Sequence, residues 1–286
     1  MAKHIPIIIY TNLFTLSNRN VKDNKYIDMF YVWLFNIIKN GKLTMSDYCI
    51  IFIDNVTIEY IRKSCIYTFL IQYIQNFKII EYNQPNTIKD GILQRYNIKN
   101  IINITYNVEY LNPYYIHLDI DVLVINDIRK LFVNNYENHN NTTIYLRKEG
   151  KLLDSNYYGD IITTDEKQIL DRSGMLYMPG FSAGIYAWRN SKDIKEYFEF
   201  VLNMAKKTTK ELYTVEQPFF NGAVFNYFFK KRGIFNFVIL DDICVGHNRF
   251  SNQVSSNTIL LNFCGIPGDE SFHWDKILME LFISIL

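Results

Sequence analysis

Two carboxylates stand inside an apolar run, in the segment IHLDIDVLVI that begins at Ile116. Asp119 and Asp121 are separated by one residue, and apolar residues continue on both sides of the pair. If the segment is one strand, alternate residues share a face, so both carboxylates point to the same side. Two negative charges a few ångströms apart repel by about 3 to 4 kcal/mol at an effective dielectric of 20. A cation is therefore expected beside them.

A bound divalent cation is the favoured source of that charge, because buried charges in proteins are paired or ligate metals. Oxygen ligands favour Mg²⁺ or Mn²⁺ and leave coordination positions for a phosphorylated substrate. The alternative is a strand that ends here with both acids in solvent, one of them capping a turn. Against it, the apolar run continues through Val122 to Ile125, and no Lys or Arg lies close by in the sequence to neutralise the pair.

The first hundred residues alternate between strand and helix patterns, as a doubly wound parallel sheet requires. Strands are predicted at Ile5–Tyr10 and Tyr48–Ile53, and helices at Met29–Ile38 and Ile58–Ile74. The strands end in the polar pairs Thr11-Asn12 and Asp54-Asn55. Ligands of such sheets bind beyond the carboxyl ends of the strands, so these two pairs belong to one predicted rim.

The remainder of the chain continues the alternation around one irregular stretch. Further strands are predicted at Tyr114–Leu118, Thr143–Leu146, Ile185–Trp188, Phe237–Leu240 and Thr258–Phe263, and helical segments at Ile88–Asn97, Asp193–Lys206 and Thr214–Lys230. From Gly150 to Gly180 the pattern is polar and irregular, which predicts a long functional loop with a short helix near Asp165–Leu170. No repeat or linker interrupts the chain, so a single domain is predicted.

Composition restricts the class of partner and the compartment. The 286 residues carry 30 Lys and Arg against 29 Asp and Glu, a net charge of +1, so no broad positive field is available for nucleic acid. The four cysteines form no CxxC pair, and neither a signal peptide nor a transmembrane segment is recognised, which predicts a cytoplasmic protein. Heavy use of Asn, Ile, Tyr and Lys indicates an AT-rich genome, and the host-cell cytoplasm of a large DNA virus is one setting that fits.

Several segments together resemble a known family. YYIHLDIDVLVINDIRKLF is similar to the DxD segment of GT-A glycosyltransferases, particularly the retaining family 8 enzymes related to glycogenin and bacterial galactosyltransferases. Four further segments occur in the same order as in that family. Arg95 in LQRYNI precedes the DxD strand, as the family's arginine does. After the DxD strand come FSAGIYAWRN (family F-N-A-G), EQPFFNGAVF (family D-Q-D-x-x-N, keeping Gln217 and Asn221) and LLNFCGIPG (family H-F-x-G). The resemblance covers nearly the whole chain. It implies one α/β GT-A domain with a Rossmann-like, doubly wound mixed sheet, nucleotide-binding over about 1–125 and sugar- and acceptor-binding over about 126–286.

The resemblance also implies an activity, namely metal-dependent transfer of a hexose from a UDP-sugar to a glycan or protein acceptor, with retention. Mn²⁺ or Mg²⁺ would be bound by Asp119, Asp121 and Asn262. Donor contacts would come from Tyr10, Thr11, Asn12, Arg95, Asp119, Ser182, Ala183, Gly184, Gly265 and His273. Catalytic roles would fall to Gln217, Glu216 and Asp121. The oligomeric state is left open, with a homodimer as one option.

Two departures from the family pattern support a rival interpretation. Asn262 stands where the family has a metal-binding His, and Ser182 stands where it usually has Asn. A degenerate GT-A domain that binds nucleotide sugar or glycan without turnover is therefore the alternative. The roles implied for Gln217 and Arg95 also have simpler explanations. Thr214 and Gln217 fit a helix capping box, and the aliphatic part of the Arg95 side chain could cover the hydrophobic core. Tyr157, Tyr158 and Trp188 are candidates for stacking on sugar rings, although most aromatic residues of a chain this rich in them belong to the core.

Overall fold

The computed structural model of the protein describes residues 5–132, 142–189, 191–209, 212, 214–230, 235–240, 244–246 and 255–263. The strands are β1 (Ile7–Leu13), β2 (Tyr48–Asp54), β3 (Phe77–Tyr82), β4 (Tyr114–Leu118), β5 (Val122–Val124), β6 (Thr142–Lys151), β7 (Pro179–Arg189), β8 (Phe235–Ile239), β9 (Cys244–Gly246) and β10 (Leu260–Asn262). The α-helices are α1 (Tyr26–Asn40), α2 (Asn55–Ile61), α3 (Cys65–Ile71), α4 (Ile88–Ile92), α5 (Ile98–Ile104), α6 (Tyr106–Glu109), α7 (Thr164–Arg172), α8 (Ser191–Lys207) and α9 (Gln217–Lys230). Short 3₁₀ turns cover Val21–Asp23, Leu93–Tyr96 and Ile128–Phe132.

Within these residues, seven strands form one mixed sheet in the order β3-β2-β1-β4-β7-β6-β8. The first four are mutually parallel, β7 runs antiparallel between β4 and β6, and β8 is parallel to β6. A second, three-stranded sheet has the order β5-β10-β9. The predicted α/β fold with a doubly wound mixed sheet is confirmed.

Both faces of the central sheet are buried, which explains the continuous apolar runs of β1 and β2. On one face, Ile7 and Ile9 pack with the apolar residues of α1. On the other, Ile8 and Tyr10 pack with residues of α5, α8 and α9. Alternation along β1 thus divides its side chains between two cores. No helix in the described ranges is long and apolar enough to cross a bilayer.

Element boundaries differ from the sequence prediction at several points. The helix predicted over Ile58–Ile74 is two helices: α2 begins after its cap Asp54 and ends at Ile61, and after a turn α3 begins at Cys65. Strand β3 was not predicted; it lies at the sheet edge, and its partly exposed, charge-interrupted sequence carries a weak pattern. The irregular stretch predicted over Gly150–Gly180, with a short helix inside it, is confirmed: β6 ends at Lys151, β7 begins at Pro179, and α7 lies between them with a capping box formed by Thr163 and Glu166. The single-domain division and the oligomeric state remain predictions.

Candidate active site

The two aspartates lie in a turn, and not in a strand as predicted. Strand β4 ends at Leu118, the backbone N–H of Asp119 donates to Gly184 O at 2.8 Å, and Val122 N–H donates to Asp119 O at 3.0 Å. The prediction that strand alternation puts both carboxylates on one face is therefore wrong. Both side chains nevertheless line the same cleft, because the turn closes at the carboxyl end of β4.

That cleft has a volume of about 860 Å³, within the range of small-molecule sites. It opens beyond the carboxyl ends of the parallel strands β1 and β4, which is where doubly wound sheets bind ligands. Its polar floor combines Asn12, Arg95, Asp119, Asp121 and Glu216, and its remaining walls come from the β1–α1 connection, from α4 and from Ile120.

Arg95 is the cation beside Asp119. Its side chain is only 2% exposed, with Nη1 2.5 Å from Asp119 Oδ1 and Nη2 2.5 Å from Glu216 Oε1. Burial opposes the charged form of Arg95, yet the two carboxylates hold its pKa well above the usual range. The pKa of Asp119 is in turn lowered, because Arg95 and His117 outweigh the cost of burial. The cation expected beside the acid pair is therefore, for Asp119, a side chain that lies 24 residues earlier in the sequence.

Asp121 has a different environment. No described residue forms an ion pair with it, and burial together with the charge of Asp119 raises its pKa to about 7. A carboxyl group in this state is poorly compensated when ionised. A cation bound beside Asp121 would therefore stabilise its ionised carboxylate.

Asn262 reaches this turn through the small sheet. It pairs with Val122 across the β10–β5 ladder, and the next residue, Phe263, donates its N–H to Asp121 O at 2.8 Å. Asn262 is 6% exposed. The backbone of Asn262 thus lies beside the turn that carries the other two predicted metal-binding residues, and carboxylate and amide oxygens are donors that Mg²⁺ and Mn²⁺ accept. Among the described residues, no three His, Cys, Asp or Glu side chains form a metal-binding group, so such a site would depend on the amide of Asn262.

His117 is a site residue that the sequence argument missed. It is fully buried, and its Nε2 lies 3.0 Å from both Asp119 Oδ1 and Arg95 Nη1. Its ring packs against Tyr10 and Tyr186, at centroid distances of 5.2 and 4.9 Å. Burial and then the charge of Arg95 lower its pKa to about 4, so it is neutral near pH 7. Its spacing two residues before Asp119 was the available signal.

Glu216 lines the cleft and immediately precedes α9, which begins at Gln217. The backbone carbonyl of Glu216 accepts from the N–H groups of Phe219 and Phe220, which leaves its carboxylate to pair with Arg95. Burial is the main reason that the pKa of Glu216 is raised, although Arg95 acts in the opposite direction. The site therefore contains three acidic side chains around one buried guanidinium.

The capping-box interpretation of Thr214 and Gln217 is wrong. Thr214 Oγ1 donates to Asn156 O at 2.6 Å, and Gln217 Nε2 donates to the same carbonyl at 3.2 Å. Gln217 Oε1 accepts from the N–H of Ala183 at 3.2 Å. Gln217 therefore ties α9 to β7 and to the segment after β6.

Strand β7 leaves its pairing with β6 where the FSAG segment occurs. The register changes between Leu146 paired with Tyr186 and Lys148 paired with Phe181, which leaves Ser182 to Ile185 opposite a single β6 residue. This bulge carries Gly184 against Asp119, and a Cβ at Gly184 would collide with Asp119 Oδ2. Ser182 Oγ accepts from Gly184 N–H at 3.3 Å within the bulge.

Asn221, the second residue kept from the family's D-Q-D-x-x-N segment, anchors the start of that bulge. Its Oδ1 accepts from the N–H of Phe181, and its Nδ2 donates to the carbonyl of the same residue, both at 2.8 Å. Nδ2 is also 2.9 Å from Gln217 O. Gln217 and Asn221 thus hold Ala183 and Phe181 in place from one face of α9.

Donor contacts were also predicted at the end of β1, and the longer strand changes their positions. Tyr10 and Thr11 are fully buried and are not among the residues lining the cleft, and Tyr10 OH accepts from Trp188 Nε1 at 3.1 Å. The contacts predicted for them are therefore corrected. Asn12 does line the cleft, with its Nδ2 3.3 Å from Gly91 O. Asp54 is committed to capping α2 and to the N–H of Thr15.

The three aromatic residues considered for stacking on sugar rings are core residues. Tyr157 and Tyr158 are 8% and 2% exposed, and Tyr158 OH donates to Glu166 at 2.9 Å. Trp188 is fully buried and stacked on Tyr115 at 3.7 Å between centroids. Two further predicted donor contacts, Gly265 and His273, lie outside the described residues.

Comparison with known proteins agrees with this architecture. No family model and no curated protein matches the sequence. Among solved structures, a glutamine-to-glutamate active-site mutant of LgtC matches with a TM-score of 0.55 and 14% identity over 98% of this chain and 96% of its own. Galactosyltransferase LgtC in complex with donor and acceptor sugar analogues matches with a TM-score of 0.50 and 15% identity over the same shares.

The bifunctional glycosyltransferase WbbM matches with a TM-score of 0.54 and 12% identity over 98% of this chain, which spans 52% of WbbM. The chain therefore has the GT-A glycosyltransferase fold, as the resemblance predicted. Identities of 12 to 15% establish the fold alone, so the activity must be argued from the site.

Proposed function

We propose that this protein is a metal-dependent glycosyltransferase that moves a hexose from a UDP-sugar to a glycan or protein acceptor with retention. The observation that carries this proposal is the shared cleft of Asp119, Asp121, Arg95 and Glu216 at the strand ends of a GT-A fold. The similar structure of LgtC was determined with donor and acceptor sugar analogues, which supports a site of the same class here.

Mn²⁺ or Mg²⁺ would be held by Asp119, Asp121 and Asn262. Arg95 and His117 occupy Oδ1 of Asp119, so Oδ2 is the oxygen that this residue has left for a ligand. When bound, the ion supplies Lewis acidity that stabilises the charge on a departing diphosphate. Residues of the chain would position that ion and the sugar. Arg95 holds the carboxylates of Asp119 and Glu216, and Gly184, which has no side chain, leaves room for Asp119 Oδ2.

The donor sugar would lie near Ser182, Ala183 and Gly184, with Glu216 and Gln217 facing its hydroxyls. LgtC also has a glutamine in its active site, which supports a role for Gln217 close to the reacting carbon. Because Gln217 is bonded to Ala183 N–H and Asn156 O, it must exchange one of these contacts to reach a substrate. Asn12 is the polar β1 residue that lines the cleft, and it would contact the uridine.

Retention is proposed to occur by front-face substitution. The bond between the anomeric carbon and the diphosphate oxygen breaks, the acceptor oxygen bonds to the same face, and the acceptor proton passes to the leaving phosphate. The carboxylate of Glu216 is held by Arg95 at 2.5 Å, which makes it a poor nucleophile for a double displacement.

A second function, binding of nucleotide sugar or glycan without turnover, has its own support. Arg95 already supplies an internal cation to Asp119, and Asn262 is a weaker Mn²⁺ ligand than the histidine of the family. The charge of Arg95 reduces the need for a metal ion beside Asp119, and Asn262 lowers the affinity of the site for Mn²⁺.

Incubation with Mn²⁺ and a panel of UDP-sugars distinguishes the two functions. UDP release, with or without an acceptor, supports the transferase, whereas binding without hydrolysis or transfer supports the second function. Asp121→Ala is expected to abolish turnover and to keep the circular dichroism spectrum and melting temperature near those of the wild type. Retained turnover in this variant would contradict the metal assignment.

A further inference from the structure

The connection between β1 and α1 forms one wall of the cleft. We refer to residues 16–26 as the cleft arm. Its cleft-lining side chains are Leu16, Asn18, Arg19, Asn20, Asp23, Asn24, Lys25 and Tyr26. Most of these side chains are exposed, so the arm presents a polar surface to any molecule in the cleft.

The base of the arm is held in place by hydrogen bonds to neighbouring connections. Ser17 N–H donates to Pro85 O at 2.9 Å, and Gln84 Nε2 donates to Leu16 O at 3.3 Å. At the other end, Asn24 Nδ2 donates to Phe14 O at 3.0 Å. The middle is a 3₁₀ turn over Val21–Asp23 that begins at the cap Asn20. These contacts hold the backbone of the arm at both ends, so the backbone needs little ordering when a ligand binds.

The arm carries two cations into the cleft. Arg19 and Lys25 are exposed and line the cleft, and neither forms an ion pair or a side-chain hydrogen bond with a described residue. Asp23 is the acid that the arm contributes to the lining, so the arm's cleft-facing charge is positive by one. The floor has the opposite balance, with Asp119, Asp121 and Glu216 around Arg95.

We propose that Arg19 and Lys25 bind the phosphoryl groups of the nucleotide donor, from a different wall of the cleft than the DxD turn. This inference rests on the proposed function and assigns part of donor recognition to this chain's own arm. A guanidinium and an ammonium are the side chains that recognise phosphate oxygens. A carboxylate floor repels a diphosphate unless a cation is present, so the arm gives the donor a favourable contact before any metal binds.

Binding of UDP, uridine and inorganic pyrophosphate, measured by calorimetry in EDTA, tests the arm directly. The variant is Arg19→Gln with Lys25→Gln. The matched control is Lys22→Gln, which removes one positive charge from the 3₁₀ turn at a residue that does not line the cleft. Both changes are on the surface, so the fold is expected to be kept.

The double variant is expected to bind UDP about tenfold more weakly, as the loss of two exposed ion pairs would give. Uridine binding should be unchanged, Lys22→Gln should stay within about twofold of the wild type, and the wild-type advantage should shrink between about 50 and 300 mM NaCl. Equal UDP binding by the wild type and the double variant would overturn the proposal that the arm binds the phosphoryl groups. An equal loss of UDP affinity in Lys22→Gln would do the same. Neither result would affect the transferase proposal.

The probes also separate this inference from the proposed function. Wild-type binding of pyrophosphate but not UDP in EDTA, with the pyrophosphate signal lost in the double variant, would support an anion site on the arm and refute its assignment to the nucleotide donor. Wild type that binds neither ligand in EDTA would refute the arm proposal, whereas the proposed function is decided separately by UDP release in the incubation with Mn²⁺.

Discussion

Replacing Arg95 by methionine tests the charge arrangement of the cleft most directly. The change leaves Asp119 and Glu216, each 2.5 Å from a guanidinium nitrogen, without their shared cation. Breaking a buried ion pair by removing one partner costs about 3 to 5 kcal/mol. Because the side chain of Asp119 is 33% exposed and solvent screens part of its charge, we expect the lower end, about 3 kcal/mol of unfolding free energy.

The loss should depend on pH with a defined sign. In the wild type, Arg95 lowers the pKa of Asp119, so this carboxylate contributes stability above its ordinary pKa and loses it as the pH falls. Without Arg95, the pKa values of Asp119 and Glu216 rise, and the folded state holds protons that the unfolded state releases. The variant therefore loses stability as the pH rises above about 4, and its deficit is larger at pH 8 than at pH 5.

Urea unfolding of both proteins in EDTA at these two pH values measures the deficit. The matched control is Arg95→Met combined with Asp119→Asn and Glu216→Gln, which removes the unpaired charges and should recover more than half of the lost stability. A deficit below about 1 kcal/mol, or one that is equal at both pH values, would refute the buried-guanidinium argument. Failure of the triple variant to recover would point to lost packing of the Arg95 stem instead.

Three further predictions concern the residues proposed to bind the metal ion. Gly184→Ala should displace Asp119 Oδ2 and weaken Mn²⁺ binding about tenfold or more in a calorimetric titration, and an unchanged affinity would exclude the close approach. The pKa of Asp121 is raised to about 7, so Mn²⁺ affinity should rise with pH up to that value and then level off. The metal-free protein should lose stability as the pH rises towards 7, because the buried carboxyl then loses its proton. A Mn²⁺ affinity that is independent of pH would exclude Asp121 as a ligand. Asn262→His should raise affinity for Mn²⁺ about tenfold more than for Mg²⁺, as measured by competition, and equal gains for both ions would argue against Asn262 as a ligand.

The sequence by itself determined the central architecture. The apolar runs that became β1, β2 and β4 are buried on both faces of the sheet, and burial of a strand is visible in local composition. The alternation of strands and helices predicted a doubly wound sheet, and the order of the family motifs predicted the GT-A fold. The convergence of Asn12, Asp119 and Asp121 on one cleft follows from that fold, because the ends of the parallel strands β1 and β4 meet at one edge.

Only the tertiary structure decided how the charges are paired. Arg95 meets Glu216 across 121 residues of sequence, and the β7 bulge brings Gly184 to Asp119. Strand β1 continues for three residues beyond its predicted end at Tyr10, so Tyr10 lies within the buried strand and not at its end. A local sequence pattern does not mark that extension. Periodicity reports which side of an element is buried. Partners, register and turn geometry depend on how elements pack, and a one-residue shift in register changes which side chains face a site.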